Sequence, residues 1–247
     1  MNRKETAEEY KKIWFRGMSR FSDGLDGEFQ EIAENFLCGD ILPYGVLGNK
    51  QKALISLTAL TATQNLRPLY EYTISALDMG AAPEEIKETI YQCAPYIGLE
   101  RAGCALDEVN RAFEASNIVC SLKSQSTVTE DTRFEKGLAV QQQLFGKEQI
   151  ESMRASAPRE LRHIQDYLSA HCFGDFYTRG ALDLQMRELI TFCAICCLGG
   201  CEAQAKAHAQ ANLRMGNSRE MLIDAVTQCL PFIGFPRTLN AVSCIGE

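Results

Sequence analysis

The chain has 247 residues and a formal net charge of -7, from 25 Lys and Arg against 32 Asp and Glu. That length allows one large domain or two small ones, and 46% apolar residues exclude a disordered or collagen-like chain. The acidic balance lacks the basic face that nucleic-acid binding requires, and no apolar run approaches the roughly 18 residues of a membrane span.

The opening residues, MNRKETAEEYKK, carry no apolar signal-peptide core, so a cytoplasmic location is expected. Eleven cysteines are spread along the chain. Most lie in apolar helical stretches, where a reduced cysteine acts as a small buried hydrophobe.

Taken in chain order, the segments repeat. Gly39, Asp40, Gly45, Leu47, Leu54 and Ile55 recur at an offset of 135 as Gly174, Asp175, Gly180, Leu182, Leu189 and Ile190. Residues 79–98 share eight of twenty positions with residues 215–234, now at an offset of 136. Arg101 and Arg237 continue that match. Within this second block Ile86, Ile90, Cys93, Ala94 and Ile97 form a helical apolar stripe, as do Leu222, Val226, Cys229, Leu230 and Ile233. Pro83, Glu84 and Glu85 suit a first helical turn, and Asn217 with Glu220 suits a capping box. Pro95 and Pro231 are expected to kink or end their helices. Gln-Cys-x-Pro-x-Ile-Gly appears in both copies, which favours a packing role for it over chemistry. The polar stretch 123–132 is the expected linker. These patterns predict an all-α protein of two similar helical bundles, 1–125 and 126–247, packed as a pseudo-dimer.

The second copy carries the reactive residues. Residues 183–198 read as a helix stopped by Gly199-Gly200, and a second helix runs from Cys201 to Met215. At about 1.5 Å per residue, Glu188 lies roughly 16 Å before the turn and His208 roughly 12 Å beyond it. The two are therefore at similar heights in an antiparallel hairpin, equipped for proton transfer. Cys201 opens the second helix, where backbone N–H groups and the helix dipole favour a thiolate. His208 follows seven residues later, offset by about 20° and some 10 Å along the axis. A relay through water or substrate is expected, with Gln204 placed to hold that water. Cys193, Cys196 and Cys197 precede the turn. Their Cys-x-x-Cys lies mid-helix with no second Cys or His pair at zinc-finger spacing, so no metal is expected. The bland readings are a Glu188 paired with Arg187, a satisfied helix histidine and an inert thiol. In the first copy Ala53 stands opposite Glu188, Asn65 opposite Cys201 and Tyr72 opposite His208, so that copy lacks the whole set.

This pattern resembles the carboxymuconolactone decarboxylase family, which includes alkylhydroperoxidase D-like proteins. The resemblance covers nearly the whole chain as two tandem units. It rests on Gly174-Asp175, Gly180-Ala181-Leu182-Asp183, Arg187-Glu188-Leu189-Ile190, Gly200-Cys201, Ala207-His208, Met215-Gly216 and residues 228–234. It implies an all-α bundle that oligomerises, here as a homotrimer of tandem chains. Peroxidase-like members use a Glu, a Cys-x-x-Cys pair and a His as a thiol relay. Carried over, these are Glu188, Cys201 and His208, with Gln204 in place of the second cysteine. Cys196, Cys197 or an external thiol reductant would then resolve Cys201. Decarboxylase members imply acid–base chemistry on a small lactone without a cofactor.

The expected function is a thiol-dependent, peroxidase-like oxidoreductase with catalytic Glu188, Cys201 and His208, and with Gln204 and Arg187 contacting a small-molecule substrate. The alternative is a decarboxylase or isomerase of a small lactone or keto acid with His208 as proton donor. In that case Arg187 or Arg214 is the available carboxylate clamp. A non-catalytic oligomeric binding protein is the third reading.

Overall fold

The computed structural model describes residues 2–19, 21 and 26–246. Twelve α-helices and no strand occur among them. The first copy comprises α1 (Arg3–Phe15), α2 (Gly27–Phe36), a π-helical segment (Leu37–Ile41), α3 (Asn49–Thr63), α4 (Leu69–Asp78), α5 (Pro83–Ile97) and α6 (Leu99–Ala115). The second comprises α7 (Arg133–Phe145), α8 (Lys147–Ser156), a 3-10 turn (Arg159–Leu161), α9 (Arg162–Tyr167), a π-helical segment (Leu168–Tyr177), α10 (Leu184–Leu198), α11 (Glu202–Arg214) and α12 (Arg219–Ser243).

The repeat is structural as well as textual. Arg3 Nε donates to Asp40 at 2.8 Å, and Arg133 Nε donates to Asp175 at 2.7 Å, fixing each copy's first helix to its π-helical segment. In the first copy the proline-bearing helix ends at Ile97, and Gly98 starts the next helix. In the second, helix α12 is interrupted at Gly234, with φ 72° and ψ 170°. Both breaks fall three residues beyond the proline. The missing proline N–H loosens the turn, and glycine alone accepts the positive φ that the break requires.

One expected cap is corrected. Ser218, not Asn217, caps α12, its side chain accepting the Met221 N–H. Asn217 is buried instead, its Nδ2 donating to Gln185 O at 2.9 Å and Asn212 Oδ1 at 2.7 Å. A side chain committed to bracing the hairpin cannot also cap the next helix.

The two copies share one core as a pseudo-dimer. Helix α10 packs on α3 and α5 of the first copy as well as on α11 and α12, and α12 packs on α3. The cross-copy polar contacts are reciprocal. Arg187 on α10 donates to Gln92 Oε1 at 2.9 Å and Glu88 Oε2 at 3.0 Å, both on α5. Conversely, Asp224 and Gln228 on α12, which align with Glu88 and Gln92, reach the first copy. Asp224 accepts the Leu47 N–H at 2.7 Å, and Gln228 donates to Ile41 O at 3.0 Å. The repeated glutamine is thus an interface residue, which explains why it occurs twice. Leu54, Ile55, Leu57 and Leu60 from α3 meet Leu189, Ile190, Phe192 and Cys193 from α10 in this core. Among the described residues, no helix is long and apolar enough to cross a membrane.

Candidate active site

The site is built on the α10–α11 hairpin. Asp183 caps α10 by accepting the Met186 N–H at 2.8 Å. Gly199 and Gly200, at φ 70° and 72°, reverse the chain in a conformation closed to most side chains. Asn212 braces the pair, its Nδ2 donating to Glu188 O at 3.0 Å and His208 O at 2.8 Å. The hairpin therefore holds Glu188 and His208 at one height, with His208 Nδ1 2.9 Å from Glu188 Oε2. Glu188 is fully buried and His208 is 7% exposed.

A buried carboxylate needs partners. The second one here is Tyr177, whose hydroxyl donates to Glu188 Oε1 at 2.6 Å. Since Tyr177 spends its proton there, its oxygen accepts from Thr191 at 2.7 Å and from Tyr96 at 3.0 Å. Gln92 Nε2 donates to Thr191 at 3.1 Å, and the Cys172 thiol donates to Tyr96 at 3.4 Å. Behind Gln92 stands the Arg187 guanidinium. Every donor in the chain from Arg187 through Gln92, Thr191 and Tyr177 points towards the Glu188 carboxylate. Glu188 in turn accepts from Nδ1 of His208, and Nε2 is left as the other ring nitrogen. It makes no hydrogen bond to any described residue. Tyr96 and Phe145 flank the imidazole edge-on, with ring centroids at 5.6 and 5.2 Å.

Burial pushes the Tyr177 and Tyr96 phenols well above their ordinary value, with nearby Glu188 and Cys172 adding to the effect. Both stay protonated as donors. Burial also raises the Cys172 thiol to about 12. Burial pulls the Arg187 guanidinium down, and Glu88 opposes that pull.

The first copy's equivalent position is filled. By the repeat offsets, Leu42, Ala53, Ser56, Tyr72 and Phe232 stand where Tyr177, Glu188, Thr191, His208 and Tyr96 stand in the second, and Phe15 stands where Phe145 does, at the offset of 130 that also relates Arg3 to Arg133. Tyr72 meets Phe15 and Phe232 edge-on at 5.4 and 5.6 Å, repeating the His208 ring geometry. The second copy therefore holds a buried carboxylate–imidazole pair that the first copy lacks, completed by Gln92 and Tyr96 from the opposite copy.

The other expected site residues lie apart from this pair. Cys201 is the N-cap of α11, with φ -124° and ψ 37°. Those angles are not helical, so the projection that put its side chain on the His208 face does not apply to it. Cys201 is half-buried and lines a cavity of ≈ 20 Å³ with Cys196, Arg237 and Cys244. Gln204 is exposed, whereas His208 is buried. Cys197 is buried against Cys229. Arg187 is fully buried and engaged by Glu88, Gln92 and the carbonyls of Arg179 and Gly180. The expectation that it contacts substrate is corrected, because its charge is consumed within the copy interface. Arg214 is exposed and donates to Leu144 O at 3.1 Å.

Sequence reading passed over Tyr177, Tyr96, Thr191 and Phe145. The signal that finds two of them is a difference between copies: Tyr177 against Leu42, and Tyr96 against Phe232, where a hydroxyl is the whole change.

An all-α tandem bundle with one buried carboxylate–imidazole pair in its second half defines the class of protein. Residues 27–110 and 162–246 each match the carboxymuconolactone decarboxylase family, and the chain belongs to it. It is similar to the 4-carboxymuconolactone decarboxylase of Acinetobacter baylyi, at 22% identity over 120 residues. That stretch is 49% of this chain and 88% of the relative, the length of a single unit. A crystal structure described as a gamma-carboxymuconolactone decarboxylase subunit, from Burkholderia xenovorans, shares the fold at a TM-score of 0.54 and 18% identity. That match covers 98% of this chain and 95% of the other.

Proposed function

We propose that the protein is an acid–base lyase or isomerase acting on a small lactone or keto acid, with His208 Nε2 as the proton-transferring atom. The observation that carries this reading is the buried Glu188–His208 pair, whose supporting donors all converge on the carboxylate. In the decarboxylating direction, the bond between the substrate carbon and its carboxylate breaks and carbon dioxide leaves. The electron pair passes into the conjugated carbonyl as an enolate. His208 Nε2–H then delivers a proton to the vacated carbon. Glu188 holds the imidazole through Nδ1 and offsets its positive charge before transfer. Phe145 and Tyr96 restrict water around the ring.

A thiol relay through Cys201 has less support. It requires Cys201 and His208 to serve one reaction centre, yet the cavity that Cys201 lines does not include His208, and Gln204 is exposed where a second cysteine would stand. The name of the Acinetobacter relative supports the acid–base reading and supplies the first compound to try. Purified protein is incubated with 4-carboxymuconolactone and other small carboxylated lactones, and carbon dioxide release is followed. Turnover of one of them, lost in Glu188→Gln and kept in Cys201→Ser, is expected. Loss in Cys201→Ser with retention in Glu188→Gln would overturn the assignment.

A further inference from the structure

The glutamine that recurs in both copies is used differently in each. Gln228 serves the copy interface alone. Its Nε2 donates to Ile41 O at 3.0 Å and to Asp224 Oδ1 at 2.9 Å, and its buried Oε1 meets no donor among the described residues. Ser56, which stands where Thr191 does, turns its hydroxyl to Lys52 O at 3.0 Å. Lys52, the counterpart of Arg187, donates to the carbonyls of Leu42 and Tyr44. No chain of hydroxyls leads away from Gln228.

Gln92 stands at the head of such a chain. Arg187 has donors only, so the Gln92 carbonyl oxygen must face it, at 2.9 Å. That turns the amide N–H towards Thr191, at 3.1 Å. Thr191 accepts it and gives its own proton to the Tyr177 oxygen at 2.7 Å. An ionised Glu188 only accepts, so Tyr177 gives its proton to Oε1 at 2.6 Å. A donor-only cation at one end and an acceptor-only carboxylate at the other leave one polarity for the three groups between them. All five side chains are buried, so bulk water does not compete for these bonds.

We propose that Gln92 is a positioning residue for the Glu188–His208 pair and acts from the opposite copy: held by Arg187, its amide turns Thr191 and Tyr177 so that the phenol proton is directed at Glu188. This deepens the acid–base reading, and its consequence for turnover rests on that reading; the polarity of the chain does not. Gln92 bonds to neither member of the pair and acts through two hydroxyls. A donor on the carboxylate stabilises its charge and weakens its hold on a further proton. With Gln92 gone, Thr191 is free to turn and to accept from Tyr177 in place of Glu188. The carboxylate then holds the shared proton more tightly, and the pair stays protonated to higher pH. The other ionisable groups facing the pair are Tyr177 and Cys172 from the π-helical segment and Tyr96 from α5, with Arg187, Glu88 and Arg179 behind Gln92. Burial keeps both phenols and the thiol neutral where an imidazole titrates, so a movement in that range belongs to the pair.

The test is the pH titration of His208 by nuclear magnetic resonance, in the full-length chain carrying carbon-13 in its histidine rings. The His208 signal is assigned by its absence in His208→Gln. Gln92→Met removes both polar atoms without adding charge. Gln92→Glu keeps an acceptor for Arg187 and sets a second acceptor against Thr191, which guards against a folding defect in the first variant. Gln228→Met and Gln228→Glu make the same changes at the equivalent interface position, where no hydroxyl chain is attached. Both Gln92 variants are expected to raise the His208 midpoint by at least ~0.5 pH unit, and both Gln228 variants by less than ~0.2 pH unit. Equal shifts at the two positions, or none in the Gln92 variants, would overturn the proposal. With a lactone that is turned over, the Gln92 variants are expected to lower kcat and leave KM within about twofold. Absence of turnover would count against the acid–base reading alone, since the titration decides the role of Gln92 without it.

Discussion

Replacing Tyr177 with phenylalanine removes one oxygen and leaves the ring, so no cavity accompanies the change. The lost group donates a 2.6 Å hydrogen bond to a fully buried carboxylate. Hydrogen bonds to charged groups contribute about 1.5–3 kcal/mol net, and the buried acceptor left short adds to that. Thr191 and Tyr96 lose an acceptor, but Gln92 and Cys172 still bond to them. The sum for Tyr177→Phe is about 3 kcal/mol, which for a chain of this size lowers Tm by roughly 6–12 °C. Tyr96→Phe is the control, because its hydroxyl reaches Tyr177 and not Glu188. It is expected to cost about 1 kcal/mol, roughly 2–4 °C. Thermal melts of the two variants at pH 7 under reducing conditions make the comparison. Equal losses, or a larger loss for Tyr96→Phe, would refute the view that the network converges on Glu188.

Three further outcomes follow from the same structure. Burial raises the Cys93, Cys196 and Cys172 thiols above the ordinary value of 9.0 and the Tyr96 and Tyr177 phenols above 10.0. Folded-state values above unfolded ones mean stability that is fully present below pH 9 and lost as pH rises. Each thiol contributes a slope of up to about 1.4 kcal/mol per pH unit above 9, and the phenols join above 10; a urea midpoint that stays flat to pH 11 would contradict this. Arg187→Leu removes one of the two guanidinium partners of the buried Glu88 carboxylate, leaving Arg179 in place, and is expected to cost about 1.5–3 kcal/mol by urea unfolding, whereas a loss below about 0.5 kcal/mol would show that Arg179 alone satisfies Glu88. Light scattering at micromolar concentration is expected to give a multiple of the chain mass, because Leu99, Phe235 and Leu239 expose apolar surface at equivalent positions and on the adjoining turn of α12, with the resemblance implying three chains; a monomeric mass would oppose it.

The helical hairpin and the meeting of Glu188 with His208 were legible because both depend on local quantities. Helix rise and a glycine stop set their heights, and nothing distant was needed. Cys201 was misdirected for an equally local reason: an N-cap residue does not follow the helical rotation of the residues after it. Tyr177, Tyr96 and Phe145 were invisible to that reasoning, since Tyr177 reaches Glu188 from a π-helical segment, and Tyr96 and Phe145 reach the imidazole from the opposite copy and from α7. Arg187 read as a free cation because its partners Glu88 and Gln92 lie 99 and 95 residues away in sequence. The repeat itself held part of the answer. Aligning the copies separates Gln92 and Gln228, which hold the interface in both, from Tyr177 and Tyr96, whose hydroxyls occur only where a carboxylate must be served.

The central claim is that His208 Nε2 moves the proton. Turnover of a small carboxylated lactone in deuterium oxide measures this directly. The account predicts one deuterium at the carbon that loses the carboxylate, in the unaltered protein and in Cys201→Ser alike, and a rate at least ~100-fold lower in His208→Ala. An unchanged rate in His208→Ala, or a loss confined to Cys201→Ser, would contradict it.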